Sequence, residues 1–498
     1  MECKGINLSH VEHQFFMLLL YRFRWVFCQL DALRHCFPPN LRQYLNELPE
    51  TLDETYERIL NCINKAQKDN ARRLLQCLTV AVRPLLVEEL AELLALDFQA
   101  STSGGIPTLK AEWRWDDEEE AVLSTCSSLI AIVRNGDSRV VQFSHFSVKE
   151  YLTSPRLARS PHREVSRFHI NLEPAHTIMA QACLATLLRL DEHPGDSDTK
   201  KSPLVKYAAE HWVDHAQFEK VSSRVREGMD DLFEGSKPHF AAWVQVHDID
   251  ERWLSSCFSS DPRHSVGSPL YYAAFCGLYD VVEHLIMKHP EQVNARGGYN
   301  LFPLPAALYK GHFRIANLLH ANGAVVDVQG GYKHTPLHAA SFYGQVDIVR
   351  WLLGHGADAH ARAIYHITPM CEAVNTMRLE TIQVLLEHGA DINSQGFEGR
   401  TPLYRALCHP NPEGKVFEIA QQLLMHGADP NICDDDDQTP LHQASSHGWL
   451  EAARLLLSYG AKVDEKDKEG KTPFQVAESE GHDEMAKLLL EYGAVPQP

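Results

Sequence analysis

The sequence predicts a mainly α-helical protein, in which a helical region with one β-hairpin precedes an α-solenoid of about seven repeats. Two dipeptide markers, Thr-Pro and Gly-Ala, recur in the C-terminal half with a common period of 33 residues. In the N-terminal half, apolar residues at helical spacing lead into two short strands around a turn. These observations predict the fold class before any single residue is considered.

The first marker is Thr-Pro or a variant of it. It occurs at Ser268-Pro269, Phe302-Pro303, Thr335-Pro336, Thr368-Pro369, Thr401-Pro402, Thr439-Pro440 and Thr472-Pro473. The second marker occurs at Gly323-Ala324, Gly356-Ala357, Gly389-Ala390, Gly427-Ala428, Gly460-Ala461 and Gly493-Ala494. Because two independent markers keep the same spacing, the first over six steps and the second over five, the repeat is not a coincidence of composition.

Each part of the repeat has a physical role. Proline fits the first helical turn without loss of a hydrogen bond, and the preceding threonine can cap the exposed amides. Paired leucines, such as Leu352-Leu353 and Leu385-Leu386, predict the buried side of a second helix. The following glycine ends that helix in the left-handed conformation. One unit cannot bury its own apolar face, so the units must stack.

This repeat resembles the ankyrin family from Ser268 to Ala494, over seven units. Several departures from the family pattern are present. Met377 stands where the first helix usually ends in glycine, and the fifth unit has a five-residue insertion around Cys408 to Gly414. We expect that insertion to lengthen the loop between the two helices of its unit.

The N-terminal half is predicted to contain helices followed by a β-hairpin. Residues 41–96 have helical spacing, and Thr51-Leu52-Asp53-Glu54 has the form of a capping box. Further predicted elements are helices at 71–80, 87–96, 118–124 and 147–152, and strands at 129–133 and 139–143. Asn135-Gly136 predicts the turn between the strands. Helices followed by a hairpin are the order of a winged helix.

Three segments of this half resemble fungal NACHT–ankyrin proteins, which belong to the signal-transducing NTPases. The segments are Phe23 to Leu30, Leu48 to Tyr56 and Phe143 to Leu152. The resemblance covers about Arg22 to Leu172 and implies a winged helix of the type named after GPI inositol-deacylase, without lipase chemistry. The predicted domains are a remnant helical end of a NACHT module (1–66), a winged helix (67–160), a helical connector (161–265) and the ankyrin repeats (266–498).

Composition argues against several classes of partner. The net charge is −19, and both halves are acidic, so no basic face is available for nucleic acid. In addition, the helix before the predicted hairpin opens with five acids, Asp116 to Glu120. The apolar run Phe15 to Tyr21 is too short for a membrane span. Twelve scattered cysteines without a CxxC pair predict reduced thiols in a cytoplasmic protein, with the nucleus as the alternative compartment.

The sequence lacks the common motifs of enzymes and metal sites. The sequence has no GxxxxGK[ST] phosphate loop, because Glu465 stands where the first glycine of Gly470-Lys471-Thr472 would be required. We therefore expect a truncated or naturally reduced family member without its own ATPase. HExxH and GxSxG are absent as well. His338 and His442 occupy a structural slot of the repeat, and Asp434 to Asp437 is predicted to be a solvated turn. We predict no catalysis, cofactor, metal or small-molecule substrate.

Two columns of aromatic residues predict where a protein partner binds. The turn column holds Tyr299, Tyr332, Tyr365 and Phe397, and the first-helix column holds Phe275, Tyr309 and Phe342. Ankyrin proteins bind through the turns and first helices that form their concave face, and aromatic residues dominate binding hot spots. For the helix column, packing between repeats is an equal alternative to binding. For the turn tyrosines we expect exposure.

The sequence thus predicts a non-catalytic scaffold or sensor that binds a protein partner through the ankyrin concave face. The resemblance implies a role in intracellular signalling or nonself recognition. The alternative is a regulatory fragment of a NACHT NTPase that assembles with an NTPase on another chain.

Overall fold

The computed structural model describes residues 51–99, 105–136, 138–190, 202–247, 267–297, 302–329, 334–408 and 415–495. The chain divides into two units, residues 1–251 and 252–498. The structure is mainly helical, as predicted. The predictions for residues 1–50, Tyr299, Tyr332 and most of the fifth-unit insertion lie outside the described residues.

The first described helix, α1 (Leu52–Cys62), begins with the predicted capping box. Thr51 Oγ1 accepts a hydrogen bond from the amide of Glu54 at 3.2 Å, and the Glu54 carboxylate accepts one from the amide of Thr51 at 3.3 Å. The hydroxyl of buried Tyr56 lies 2.8 Å from Ser147 Oγ. This contact fixes α1 against the helix that follows the hairpin.

The helices and the hairpin of the winged helix follow one another in the predicted order, with three additional short strands. The elements are α2 (Lys68–Val80), β1 (Leu85–Leu86), α3 (Val87–Leu94), β2 (Leu96–Asp97), β3 (Thr108–Leu109), α4 (Glu118–Cys126), β4 (Ile130–Asn135), β5 (Ser138–Phe143) and α5 (Phe146–Leu152). β5 lies between β1 and β4 in an antiparallel sheet, and the hairpin register pairs Asn135 with Ser138. The strands β1, β2 and β3 were not predicted, because two residues give no periodicity to detect.

Two glutamates on α3 are buried, although glutamate usually marks an exposed helix face. Glu89 accepts two hydrogen bonds from the guanidinium of Arg83, at 2.6 and 2.9 Å. Glu92 accepts hydrogen bonds from Arg114 (3.3 Å), Arg189 (3.1 Å), Ser202 Oγ (2.6 Å) and the amide of Leu204 (2.9 Å). Burial of these carboxylates is tolerated because each oxygen is paired.

The rest of the described part of the first unit is helical. It contains α6 (Pro155–Ala158), α7 (Arg163–Ser166), α8 (Leu172–Leu187), α9 (Leu204–Ala216), α10 (Val221–Arg224), α11 (Arg226–Leu232) and α12 (Pro238–Val246). α8 packs along α9. The rings of Trp212 on α9 and Trp243 on α12 pack edge to face with their centroids 5.4 Å apart, and the ring of Phe233 contacts both.

The described residues of the second unit form seven helix pairs. They are α13 (Pro269–Phe275) and α14 (Tyr279–Lys288), α15 (Pro303–Tyr309) and α16 (Phe313–Ala321), α17 (Pro336–Tyr343) and α18 (Val346–Gly354), α19 (Pro369–Asn375) and α20 (Leu379–Glu387), α21 (Pro402–Ala406) and α22 (Lys415–Met425), α23 (Pro440–Ser446) and α24 (Leu450–Ser458), and α25 (Pro473–Ser479) and α26 (Asp483–Glu491). First helices pack against first helices, and second helices against second helices. This two-layer stack is the predicted solenoid.

Histidines of the Thr-Pro-Leu-His slot tie neighbouring repeats together. The Nδ1 atom of buried His338 accepts a hydrogen bond from the Thr335 amide at 3.2 Å, so the proton lies on Nε2. Nε2 donates to the carbonyl of Ile367 in the next repeat at 3.0 Å. His442 makes the same two contacts, with Thr439 and with the carbonyl of Lys471. The structural interpretation of these histidines is therefore confirmed.

A second connection between repeats was not predicted. Each of the first six repeats presents one polar side chain that accepts a hydrogen bond from a backbone amide of the following repeat, at 2.9 to 3.3 Å. We call this column the inter-repeat clamp; its members are Asn294, Asp327, His360, Asn393, Asn431 and Asp464. Asn, Asp and His alternate at the position, so no single residue type marks it in the sequence.

Two assignments within the repeats need correction. Of the paired leucines in the fourth unit, Leu385 is fully buried, while Leu386 is only half-buried. Consecutive residues lie about 100° apart around a helix axis, so the second leucine of the pair lies at the edge of the buried face. Asp434 is not a solvated residue but is buried, and its Oδ1 accepts hydrogen bonds from the amides of Asp436 and Gln438, both at 3.0 Å. The other three aspartates of that run are exposed.

Candidate partner-binding surface

The turns between repeats form tips that lead directly into the first helices. In the tip before α19, Tyr365 and His366 have positive φ values of 61° and 56°. In the next tip, Glu398 and Gly399 have φ values of 60° and 69°. The left-handed backbone reverses the chain within a few residues. Each tip therefore presents its side chains at the edge of the first-helix layer.

Two aromatic residues of these adjacent tips are in contact. The rings of Tyr365 and Phe397 lie 5.3 Å apart, at an interplanar angle of 77°. Edge-to-face packing of this kind is favourable, and both residues nevertheless remain exposed. Tyr365 is 62% exposed and Phe397 is 43% exposed. The exposure that we expected for the turn tyrosines thus holds for Tyr365.

The Phe397 tip is held by the helix that it leads into and by the following tip. Arg405 Nη2 donates to the carbonyl of Phe397 at 2.9 Å, and the amide of Asp435 donates to the carbonyl of Glu398 at 3.0 Å. A side chain at Gly399 would place its Cβ 2.8 Å from the Asp435 backbone nitrogen. The close approach of the next tip thus requires glycine at this position. A rigid tip presents its aromatic ring at low entropic cost.

The residues of the first-helix column differ in their exposure to solvent. Phe342 at the end of α17 is exposed, whereas Tyr309 at the end of α15 is half-buried. The neighbouring Tyr343 is exposed as well, and its ring lies 5.2 Å from Phe342 and 6.4 Å from Tyr309. Sequence reasoning missed Tyr343 because it lies one residue beyond the column. The three rings form an aromatic cluster over two consecutive first helices.

Phe275 departs from the pattern of this column. It is 7% exposed, its ring lies 6.0 Å from that of Tyr271, and Lys310 Nζ lies 4.3 Å from the ring centroid. The following repeat therefore covers the ring, and the packing alternative holds for this residue. Tyr299 and Tyr332, the other predicted members of the turn column, lie outside the described residues.

Farther along the array the tips are polar. The amide of Lys468 donates to the carbonyl of Asp436 at 3.0 Å, and its ammonium contacts the carbonyl of Asp435. Lys471 pairs with Glu469 at 2.8 Å, and this hydrogen bond raises the pKa of the Lys471 ammonium. Exposed ion pairs of this kind contribute little binding energy. The aromatic tips and the polar tips thus differ in their side chains, although both are turns that lead into a first helix.

Between the aromatic residues, the first-helix layer carries an acid and a base in neighbouring repeats. Glu372 on α19 is buried, which raises the pKa of its carboxyl, and Arg405 on α21 partly opposes that shift. His334 Nε2 lies 3.9 Å from the Glu372 carboxylate. Burial also lowers the pKa of His334. These groups can orient a partner, but they do not form a nucleophile and base pair.

The described part of the chain gives no support for a metal or phosphate site. Within it, no three potential ligands among histidine, cysteine, aspartate and glutamate converge. The Gly470-Lys471-Thr472 string caps α25, where the amide of Gln475 donates to Thr472 Oγ1 at 3.4 Å. A helix that could cross a bilayer is not found among the residues with described placement.

Comparisons with known proteins match both units. Residues 270–363 and 410–497 match the family of ankyrin repeats (three copies), and residues 365–397 match the single ankyrin repeat. Residues 56–161 match the winged helix domain of GPI inositol-deacylase. Azaphilone pigments biosynthesis cluster protein L from Monascus ruber is 34% identical over 299 residues, which are 57% of this chain and 61% of the relative. The chain thus spans less than two thirds of that relative's length.

Ankyrin repeats form extended surfaces for protein interaction, and the aromatic residues described above lie on such an array. The repeats and the winged helix account for most of the described residues. We conclude that the chain carries a winged helix domain of the GPI inositol-deacylase type, followed by an ankyrin repeat domain that serves as a protein-interaction module.

Proposed function

We propose that the protein is a non-catalytic scaffold or sensor, which binds a protein partner through the tips and first helices of its ankyrin repeats. The observation that carries this proposal is the exposed aromatic pair Tyr365 and Phe397 on adjacent tips. An isolated exposed aromatic residue needs no explanation, but two in contact on rigid neighbouring turns form a patch that water solvates poorly.

The position of the surface along the array supports the same proposal. The exposed rings of Phe342 and Tyr343 belong to the third repeat, and the aromatic tips lead into the fourth and fifth repeats. Binding energy usually concentrates in a few aromatic or arginine side chains near the centre of an interface. We place that centre at the third to fifth repeats, with the polar tips of the last two repeats at its rim or outside it.

The experiment compares capture of a partner by matched variants. Pull-down from native extract first supplies the partner, whose affinity is then measured by calorimetry. Tyr365→Ala and Phe397→Ala should each weaken binding by more than about 1 kcal/mol. Folding should be spared, because tips contribute little to the core.

Tyr459→Ala is the matched control. Tyr459 is 43% exposed, as Phe397 is, but it follows α24 in the second-helix layer, away from the tips. Lys468→Ala tests a tip without an aromatic residue. Loss of binding in the Lys468 variant, together with normal binding by the Tyr365 and Phe397 variants, would place the site at the other end of the array.

The resemblance to NACHT–ankyrin proteins leads us to propose a role in intracellular signalling or nonself recognition, in the cytoplasm. A second candidate function is assembly with an NTPase on another chain, and the match of residues 56–161 to a separate winged helix domain motivates it. One measurement distinguishes these two candidate functions. A scaffold leaves the hydrolysis rate of an added NACHT NTPase unchanged, whereas a regulatory fragment alters it in proportion to complex formation.

A further inference from the structure

The winged helix carries two exposed tryptophans that the function proposed above does not use. Trp113 and Trp115 lie in the loop between β3 and α4, and they are 46% and 47% exposed. Neither ring contacts another aromatic ring or a cation within the described ranges. Exposed tryptophan is uncommon, because each indole leaves a large apolar area in water.

Both indoles line a cavity of about 570 Å³, which lies in the usual range for ligand pockets. Its lining also includes Gln67 and Asn70, whose side-chain amides are hydrogen-bonded to each other, with Asn70 Nδ2 donating to Gln67 Oε1 at 3.3 Å. Leu94, Ala121 and Thr125 complete the lining from α3 and α4. The lining thus combines two indoles and two aliphatic side chains with six polar or charged residues, so it suits a ligand that carries charged or polar groups as well as apolar surface.

The charges at the cavity favour a cation. The carboxylates of Glu112 and Asp116 line it, and among the described residues neither has a hydrogen bond or an ion pair. The one cation in the lining, Arg114, is paired with buried Glu92 at 3.3 Å. A neutral apolar ligand would desolvate the two carboxylates without compensation, whereas a cation would neutralise them.

We propose that this cavity, which we call the tryptophan pocket, binds an arginine or lysine side chain of a basic peptide segment in a protein partner. Indole faces attract cations, and the free carboxylates supply the complementary charge. Exposed Asp117 and Glu120 continue the negative surface beyond the pocket, so cations that follow in the peptide also find partners. The net charge of −19 accelerates encounter with such a segment.

The test uses the full chain and a fluorescently labelled peptide of alternating arginine and glycine, in about 150 mM salt. Fluorescence anisotropy gives the dissociation constant. A second peptide carries citrulline in place of arginine, which keeps the shape and removes the charge. We expect the arginine peptide to bind and the citrulline peptide to bind at least about tenfold more weakly.

Two double variants address the pocket itself. Trp113→Ala with Trp115→Ala removes the aromatic walls, and Glu112→Gln with Asp116→Asn removes the charges while keeping the shape. Each should weaken arginine-peptide binding at least about tenfold. The thermal unfolding temperature should stay unchanged for the charge variant, since both carboxylates are exposed.

A matched control separates the pocket from general attraction to an acidic protein. Asp435→Asn with Asp436→Asn changes the net charge equally, at exposed positions of the repeats. This control should bind the arginine peptide within about twofold of the unaltered protein. The proposal is overturned if the arginine peptide does not bind, if the citrulline peptide binds equally well, or if the control loses as much affinity as the pocket variants.

Discussion

The two units of this protein are stabilised in different ways. The described part of the first unit depends on contacts that occur once, such as the Trp212–Trp243 pair and the carboxylate of Glu92 with its four donors. The second unit repeats its contacts, and the inter-repeat clamp recurs at six junctions. In a solenoid each contact stabilises only its own junction. Loss of one contact should therefore destabilise the whole of the first unit, whereas in the second unit it should destabilise only the neighbouring repeats.

The largest expected effect tests the first unit. Trp243→Ala removes a fully buried indole, together with its hydrogen bond to the Ala209 carbonyl at 3.1 Å. We expect a loss of about 3–5 kcal/mol in the unfolding free energy of that unit, measured by denaturant titration. Trp113→Ala is the control, because its half-exposed indole contributes little to the core. Similar losses in both variants would contradict the importance that we assign to the Trp212–Trp243 pair.

The next effect tests the corrected register of the repeats. Leu385→Ala should destabilise the array by about 2–5 kcal/mol, since that side chain is fully buried between repeats. Leu386→Ala should cost less than half as much, because Leu386 lies at the edge of the same helix. Thermal unfolding of the two variants measures the difference. A greater loss from Leu386→Ala would show that the second leucine of the pair is the core residue.

A smaller effect is expected at the inter-repeat clamp. Asn431 accepts from the amide of Lys462 at 2.9 Å and donates to the carbonyl of Gly460 at 3.1 Å. Asn431→Ala should cost about 1–2 kcal/mol and should raise amide hydrogen exchange mainly in the last two repeats. The exposed Asn375, changed in the same way, is the matched control. A uniform rise in exchange over all the repeats would refute the locality that distinguishes this unit from the first.

The smallest effect is a dependence on pH. Burial lowers the pKa of His338 from 6.5 to about 4, so its neutral form is favoured in the folded state. The unfolded chain then binds more protons between these values, and the folded state loses stability as pH falls from about 6.5 to about 4. At pH near 5 we expect His338 to contribute about 1–2 kcal/mol of this loss. Denaturant titrations across this range should show a weaker pH dependence in His338→Gln; an unchanged slope would contradict the assignment.

The candidate surface was predictable in part. Repeat spacing alone placed Tyr365, Phe397 and Phe342 in columns of the array, and the structure shows all three exposed. The same spacing gave no means to separate them from Phe275, because exposure depends on whether the next repeat supplies a residue such as Lys310 to cover the ring. Tyr343 and the tryptophan pocket escaped prediction because neither follows the period of the repeat.

The sequence by itself determined the elements with strong local signals. The Thr-Pro openings and their two variants, the Gly-Ala dipeptides that end the second helices, the capping box at Thr51 and the Asn135-Gly136 turn each act within a few residues. Their physical cause lies in backbone conformation and capping, which neighbours in the sequence decide. For this reason the helix pairs and the hairpin appear close to where they were predicted.

Only the tertiary structure decided how residues distant in sequence are paired. The burial of Glu92 depends on Arg189 and Leu204, about a hundred positions later, and the buried carboxylate of Asp434 lies 3.6 Å from the guanidinium of Arg400 in the preceding tip. A carboxylate is stable inside a protein only when such donors surround it, and their convergence is a property of the folded chain. The same reason explains why glutamates on α3 that suggest a solvated helix face are core residues of the first unit.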